Sequence, residues 1–327
     1  DQIPGGKFVK VQSRFKHLGV DMGEYVPGTV FKTIYDSNPR GYFDPDNGIL
    51  SEINSLGLRG PEIQEQKTTG TFRILGIGDS FTYGAGVRDE DTFLRRLERA
   101  LNAKGAGPVE VLNAGVEGYN TRDEIITLEH RWLALDPDLI LIGFYLNDCY
   151  SDFTFLNRGE VQGVYRPKPP GLAQVSYLWD YIQHSWAVYQ ESRNIRKNYY
   201  GDVVFANAKE FLENPGEKKV DWTASRQALA RAAEISREKG IPVAVVIFPE
   251  LYDLDDSYPF KAVHAYVAET CRSLGLPVLD LFQAFRGRKD SELWVHPADH
   301  HPNEIGHAIA AEAIERFLET EGLLKRR

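Results

Sequence analysis

Two rhythms of apolar and polar positions run along residues 72–320. Short, nearly unbroken apolar runs stand at 72–78 (FRILGIG), 109–114 (VEVLNA), 138–145 (DLILIGFY), 242–248 (PVAVVIF) and 277–282 (PVLDLF). Helical patterns lie between and after them, near 91–104, 121–134, 223–239, 260–274 and 303–320. Near-continuous apolar strands separated by helices predict a parallel sheet covered on both faces. Right-handed crossovers then give an α/β protein of the doubly wound kind, a three-layer α/β/α sandwich.

Two segments depart from this rhythm. Residues 1–70, rich in Gly, Pro, Asp and Asn with short apolar pieces such as Thr29-Val30-Phe31, read as an irregular or short-stranded N-terminal extension that packs on the main domain, 71–327. Between the third apolar run and the next helix lie about 75 residues, far beyond an ordinary loop. This marks an insertion at 150–220. Within it Leu172, Val175, Trp179, Ile182, Trp186 and Tyr189 recur at spacings of three and four, one face of an amphipathic helix. Either the stripe packs on the body, or the insertion caps the substrate site, because it leaves from a strand's C-terminal end. In the second case Trp179, Trp186 and Tyr189 line that site.

Bulk properties narrow the partners. The chain has 327 residues, 42% of them hydrophobic and 26% charged, ordinary values for a globular protein. A net charge of -9 with no dense basic stripe argues against nucleic acid as a partner. No run approaches the ~18 apolar residues of a membrane span. The two cysteines, Cys149 and Cys271, make neither a metal pattern nor a disulfide framework. The sequence opens at Asp1, shows no signal-peptide pattern and has Met22 as its one methionine, which fits a processed or trimmed chain; an extracytoplasmic location, periplasmic or secreted, is the expectation.

The chemistry is concentrated after the strands. Leu75 to Gly86 reads LGIGDSFTYGAG. A dinucleotide fingerprint would need glycine where Phe81 stands, a P-loop would need a lysine, and the GxSxG elbow would need glycine in place of Thr82. What remains is Gly78-Asp79-Ser80, with Ser80 at a strand exit, where open α/β sheets keep their ligand crevices. The plain alternative is that Asp79 and Ser80 only cap the next helix. Trp294 to His307 reads WVHPADHHPNEIGH. Asp299 stands two residues before His301, and on a loop this lets the carboxylate accept from Nδ1–H and leaves Nε2 as a base. His296 and His300 compete for that role. His307, one turn into the last helix, reads as structural and hydrogen-bonded within the loop. Metal binding is not expected, since HPADHH lacks helical i, i+4 spacing and Pro297 and Pro302 interrupt any helix. Gly118 and Asn147 follow strands two and three. Either they supply an N–H and an amide to an oxyanion, or they serve a tight turn and an Asx-turn.

GDSFTYG, the glycine after strand two, the Asn-Asp after strand three and DHHPN together resemble the four blocks of the SGNH (GDSL-like) hydrolase superfamily over about residues 72–320. NSLGLRG (Asn54–Gly60) is similar to a segment that precedes the serine block in some bacterial members. The resemblance implies a flavodoxin-like sheet of five strands and an esterase, lipase, deacetylase or O-acyltransferase activity. It also implies Ser80 as nucleophile and first oxyanion donor, Gly118 and Asn147 as further donors, and His301 as base oriented by Asp299. Tyr145 departs from the GxND pattern and DxH from DxxH. The expected function is hydrolysis of an acyl ester, acetyl included, on a small-molecule, carbohydrate or lipid substrate, with no cofactor. An O-acetyltransferase acting on a polysaccharide and a non-catalytic carbohydrate-binding or assembly protein are the alternatives.

Overall fold

Two hairpins precede the main sheet in a computed structural model that describes residues 12–17, 20–105, 107–149 and 222–325. β1 (Gln12–His17) pairs antiparallel with β2 (Val20–Tyr25), and β3 (Val30–Ile34) with β4 (Gly48–Glu52). The main sheet follows: β5 (Phe72–Gly78), β6 (Val109–Gly115), β7 (Leu139–Phe144), β8 (Val243–Ile247) and β9 (Val278–Asp280). Its five strands are parallel and ordered β6-β5-β7-β8-β9. Every residue of β5, β7 and β8 is buried, as unbroken apolar runs require of strands covered on both faces. Arg73 is the polar exception inside β5. Its guanidinium is satisfied by Glu110 and by the carbonyls of Gln64, Glu65 and Leu135.

The helices are α1 (Ser80–Tyr83), α2 (Phe93–Ala103), α3 (Thr121–His130), α4 (Trp222–Lys239), α5 (Lys261–Ser273), α6 (Phe282–Phe285) and α7 (Glu304–Thr320). α2 packs with α7 and α3 with α4, and the chain forms an α/β/α sandwich. Thr92, Asn120 and Asn303 start α2, α3 and α7 by accepting backbone N–H bonds with their side chains. β10 (Trp294–His296) and β11 (Asp299–Pro302) make a last antiparallel hairpin just before α7.

Most boundaries shift by one or two residues, and two shifts have a visible cause. The helix predicted over 121–134 stops at His130 and continues as a 3-10 turn, Trp132–Leu135. The strand predicted over 277–282 ends at Asp280, whose carboxylate accepts from Phe282 N–H and turns the chain into α6. Trp179, Trp186 and Tyr189 lie outside the described residues, with the whole of 150–220. Among the described residues no helix is long and apolar enough to cross a membrane.

The strand order sets where a ligand fits. The chain leaves β5 for β6 on one side and returns to β7 on the other, so the connections diverge at the C-terminal end of β5. Doubly wound sheets open their binding crevice at such a switch point.

Candidate active site

Ser80 sits at that switch point. Asp79 accepts from Phe81 N–H at 2.8 Å, so the capping role read from the sequence holds for Asp79, and Ser80 becomes the first, half-exposed residue of α1. α1 rests directly on the strand ends. A Cβ on Gly115 would stand 2.3 Å from Tyr83 N, so β6 has to end in glycine. The far end of α1 is gripped by Arg59, which is 2% exposed. Its Nη1 donates to the carbonyls of Tyr83 at 2.6 Å and Gly84 at 2.5 Å, Nη2 donates to Val87 O, and the guanidinium lies over the Tyr83 ring.

The hairpin β10–β11 brings the other partners. His301 Nδ1 stands 2.6 Å from Asp299 Oδ1, which also accepts from His301 N–H at 3.1 Å. His301 Nε2 stands 2.8 Å from Ser80 Oγ. A carboxylate at Nδ1 fixes the proton there and leaves Nε2 as acceptor for the serine hydroxyl. These residues lie on a strand rather than the loop expected from the sequence, because β11 pairs with β10 and a bulge re-aims the register between Trp294 and His296. The second carboxylate oxygen, Oδ2, accepts from Tyr35 Oη at 2.9 Å.

The electrostatics follow from these contacts. Burial works against the imidazolium of His301. The charge of Asp299 and its hydrogen bond override this, with help from Glu117 and Asp79, and push His301 up to about 9. Burial likewise opposes ionisation of Asp299, yet His301 and the Tyr35 phenol hold it well below the usual carboxylate range. Asp79 is pushed up to about 6 by burial.

The other histidines turn elsewhere. His296 Nδ1 accepts from Ala298 N–H at 3.1 Å, and its Nε2 lies 2.8 Å from Ser37 Oγ. His300 stacks on Trp294 at 3.8 Å and is lowered to about 4 by burial. His307 corrects the sequence reading. Its Nδ1 accepts from Phe93 N–H at 3.2 Å, at the start of α2, rather than from the loop. Because α7 packs on α2, a residue one turn into α7 faces that helix end, and the two rings stack at 5.9 Å.

Gly118 and Asn147 stand on neighbouring loops. Gly118 has φ +82°, which an L side chain rarely adopts, so the turn needs its glycine. Val116 N–H donates to Gly78 O at 2.9 Å and draws this loop to the exit of β5. Asn147 lies in the 3-10 turn Leu146–Cys149, and its Nδ2 donates to Tyr119 O at 3.2 Å, tying the two loops together. Tyr145, at the position where a glycine is usual, stacks its ring on Phe81 at 3.9 Å. Beneath them Asp148 and Glu124 are fully buried. Burial and the nearby carboxylates push both well above the usual range.

Residues 77–309 match the GDSL-like Lipase/Acylhydrolase family, more than half of the chain. The chain belongs to that family. No curated protein matches it in sequence. It is similar in structure to the lipase/acylhydrolase from Enterococcus faecalis, at 19% identity over 76% of this chain and 96% of that one, TM-score 0.44. It is also similar to a catalytic mutant of an acetylxylan esterase from Geobacillus stearothermophilus, at 16% identity over 78% of this chain and 97% of that one, TM-score 0.46. A third is a two-domain esterase active on acetylated mannans, at 14% identity over 76% of this chain, TM-score 0.45; this chain spans 49% of that one.

In this GDSL-like hydrolase the residues singled out from the sequence fall into two groups. Ser80, His301 and Asp299 are joined by hydrogen bonds, and Gly118 and Asn147 are placed on the loops after the two strands flanking β5. Sequence reasoning missed Tyr35 and Arg59 as parts of the site. NSLGLRG contains Arg59 and was a signal for the segment, though not for what its arginine does.

Proposed function

We propose that this GDSL-like hydrolase cleaves acyl esters with Ser80 as nucleophile, His301 as general base and Asp299 as its orienting partner. The unbroken chain Asp299 Oδ1–His301 Nδ1 at 2.6 Å and His301 Nε2–Ser80 Oγ at 2.8 Å carries this reading. A serine needs an adjacent base, and the base needs a third group to hold its tautomer.

In the first half-reaction Ser80 Oγ attacks the ester carbonyl as its proton passes to His301 Nε2. The oxyanion takes hydrogen bonds from Ser80 N–H, Gly118 N–H and the Asn147 amide. Collapse breaks the C–O bond to the alcohol, and His301 returns the proton to the departing alkoxide. In the second half His301 takes a proton from water as the water attacks the acyl-serine. The acid leaves and Ser80 regains its proton. Atoms and charge balance without a metal or a redox cofactor.

The test is hydrolysis of a panel of small acyl esters by the intact chain and by Ser80→Ala, with and without a sugar acceptor. The reading expects free acid from the intact chain and none from the variant. Equal turnover by the variant would contradict it. Acylated sugar in place of free acid would move the reading from hydrolysis to transfer.

A further inference from the structure

One oxygen of Asp299 lies outside the hydrolytic mechanism. Oδ1 takes both bonds from His301, and Oδ2 accepts from the phenol of Tyr35 at 2.9 Å, across 264 positions of sequence. Tyr35 directly follows β3 in the N-terminal hairpin. Its backbone N–H donates to Asn47 O at 3.0 Å, and its ring stacks on Phe43 at 4.4 Å and lies against His296 at 5.5 Å. A Cβ at Gly86 would stand 2.5 Å from Tyr35 Oη, so the turn after α1 is shaped around this phenol. Two positions on, Ser37 meets His296 at 2.8 Å, and the same segment thereby holds β10 as well.

We infer that Tyr35 is a positioning residue for ester cleavage: its phenol holds the Asp299 carboxylate in the rotation that turns Oδ1 to His301 Nδ1. This rests on the reading of Ser80, His301 and Asp299 as the triad. A carboxylate bonded through one oxygen alone is free to pivot about its Cβ–Cγ bond, and a donor fixed on the other oxygen removes that freedom. The donor is rigid because Tyr35 is pinned by backbone and ring contacts on three sides. It also stays protonated, since burial, Asp299 and Glu117 push the phenol far above its ordinary value against the opposing charge of Arg59. On this account the hairpin β3–β4 belongs to the working site.

Tyr35→Phe in the full chain is the test, with active sites counted by fluorophosphonate labelling. The substitution removes one oxygen and keeps the stack on Phe43. The kcat per labelled site is expected to fall about tenfold, as loss of an outer orienting partner does, with KM within about twofold. The acid limb of kcat/KM is expected to move to lower pH, because a pivoting carboxylate pulls less on the imidazolium. Asp299, Glu117 and Asp79 are the charged groups facing His301, and the last two are untouched by the change. Ser37→Ala, which takes the hydroxyl from His296 Nε2 and leaves the Tyr35–Asp299 bond in place, should lower kcat per site by less than about twofold and leave the limb where it is. An unchanged kcat and limb in Tyr35→Phe would overturn the inference. So would a limb moved upward, which would mean that the phenol only tempers the carboxylate's charge, or an equal loss in Ser37→Ala, which would mean that the hairpin as a whole had loosened. A parent chain that takes no label sinks the triad reading itself, whereas full labelling with unaltered kinetics in Tyr35→Phe sinks this inference alone.

Discussion

The proposed nucleophile and its proposed base are held in place by different means. Ser80 is positioned from its own strand and turn: a strand buried at every residue, an Asp79 cap, and a glycine strand end on which α1 rests, with Arg59 gripping the far end of α1. Asp299 and His301 stand on a hairpin whose strands are only 3 and 4 residues long, with a bulge between them. Side chains from elsewhere hold that hairpin. Tyr35 and Ser37 reach it from the N-terminal hairpin, and Asn303 Nδ2 donates to the carbonyls of Glu292 and Trp294. A sheet can aim one residue accurately through its own ladder. A short hairpin needs outside partners to do the same.

Substitutions probe the two sides in descending order of effect. Ser80→Ala removes the proposed nucleophile and should lower kcat by roughly 10⁴ or more in a steady-state assay. Asp299→Asn keeps the shape of the base's side but loses the charge and the tautomer, and a loss of about 10³–10⁴ in kcat is expected, with folding intact. Arg59→Met strikes the mount on the nucleophile's side. It leaves the carbonyls of Tyr83, Gly84 and Val87 without their donor, and about 3 kcal/mol of stability should be lost in a urea titration. If Arg59→Met proves neutral in stability, α1 stands on its strand end and its cap alone and the contrast between the two sides sharpens. His300→Gln is the smallest. The ring stacks on Trp294 rather than facing Ser80, so kcat should change by less than about threefold.

What was legible in the sequence follows the same division. The five strands and the five long helices could be read because sheet burial and the apolar faces of helices leave local marks. Ser80, Gly118 and Asn147 could be picked out because each follows a strand end, and His301 because it stands two residues from Asp299. Tyr35 could not. It is one of 16 tyrosines, and nothing near it in the chain shows that its partner lies 264 residues away. His307 was recognised as structural but given the wrong partner, since the contact between α7 and α2 exists only in the folded chain. Arg59 sat in a segment that had been noticed, yet a charged residue in a Gly-rich stretch gives no hint that three carbonyls will surround it.

The central claim is that His301, made strongly basic by Asp299, activates Ser80. The most direct measurement is the rate of fluorophosphonate labelling of the full chain across pH, read by intact mass and mapped to the modified residue. Only neutral His301 can take the serine proton. With its pKa pushed up to about 9, the rate should fall about tenfold for each pH unit below that value and level off above it. A single adduct on Ser80 with that profile, absent from Ser80→Ala, is the predicted result. Labelling that persists in Ser80→Ala, or a rate on Ser80 that does not change with pH, would contradict the account.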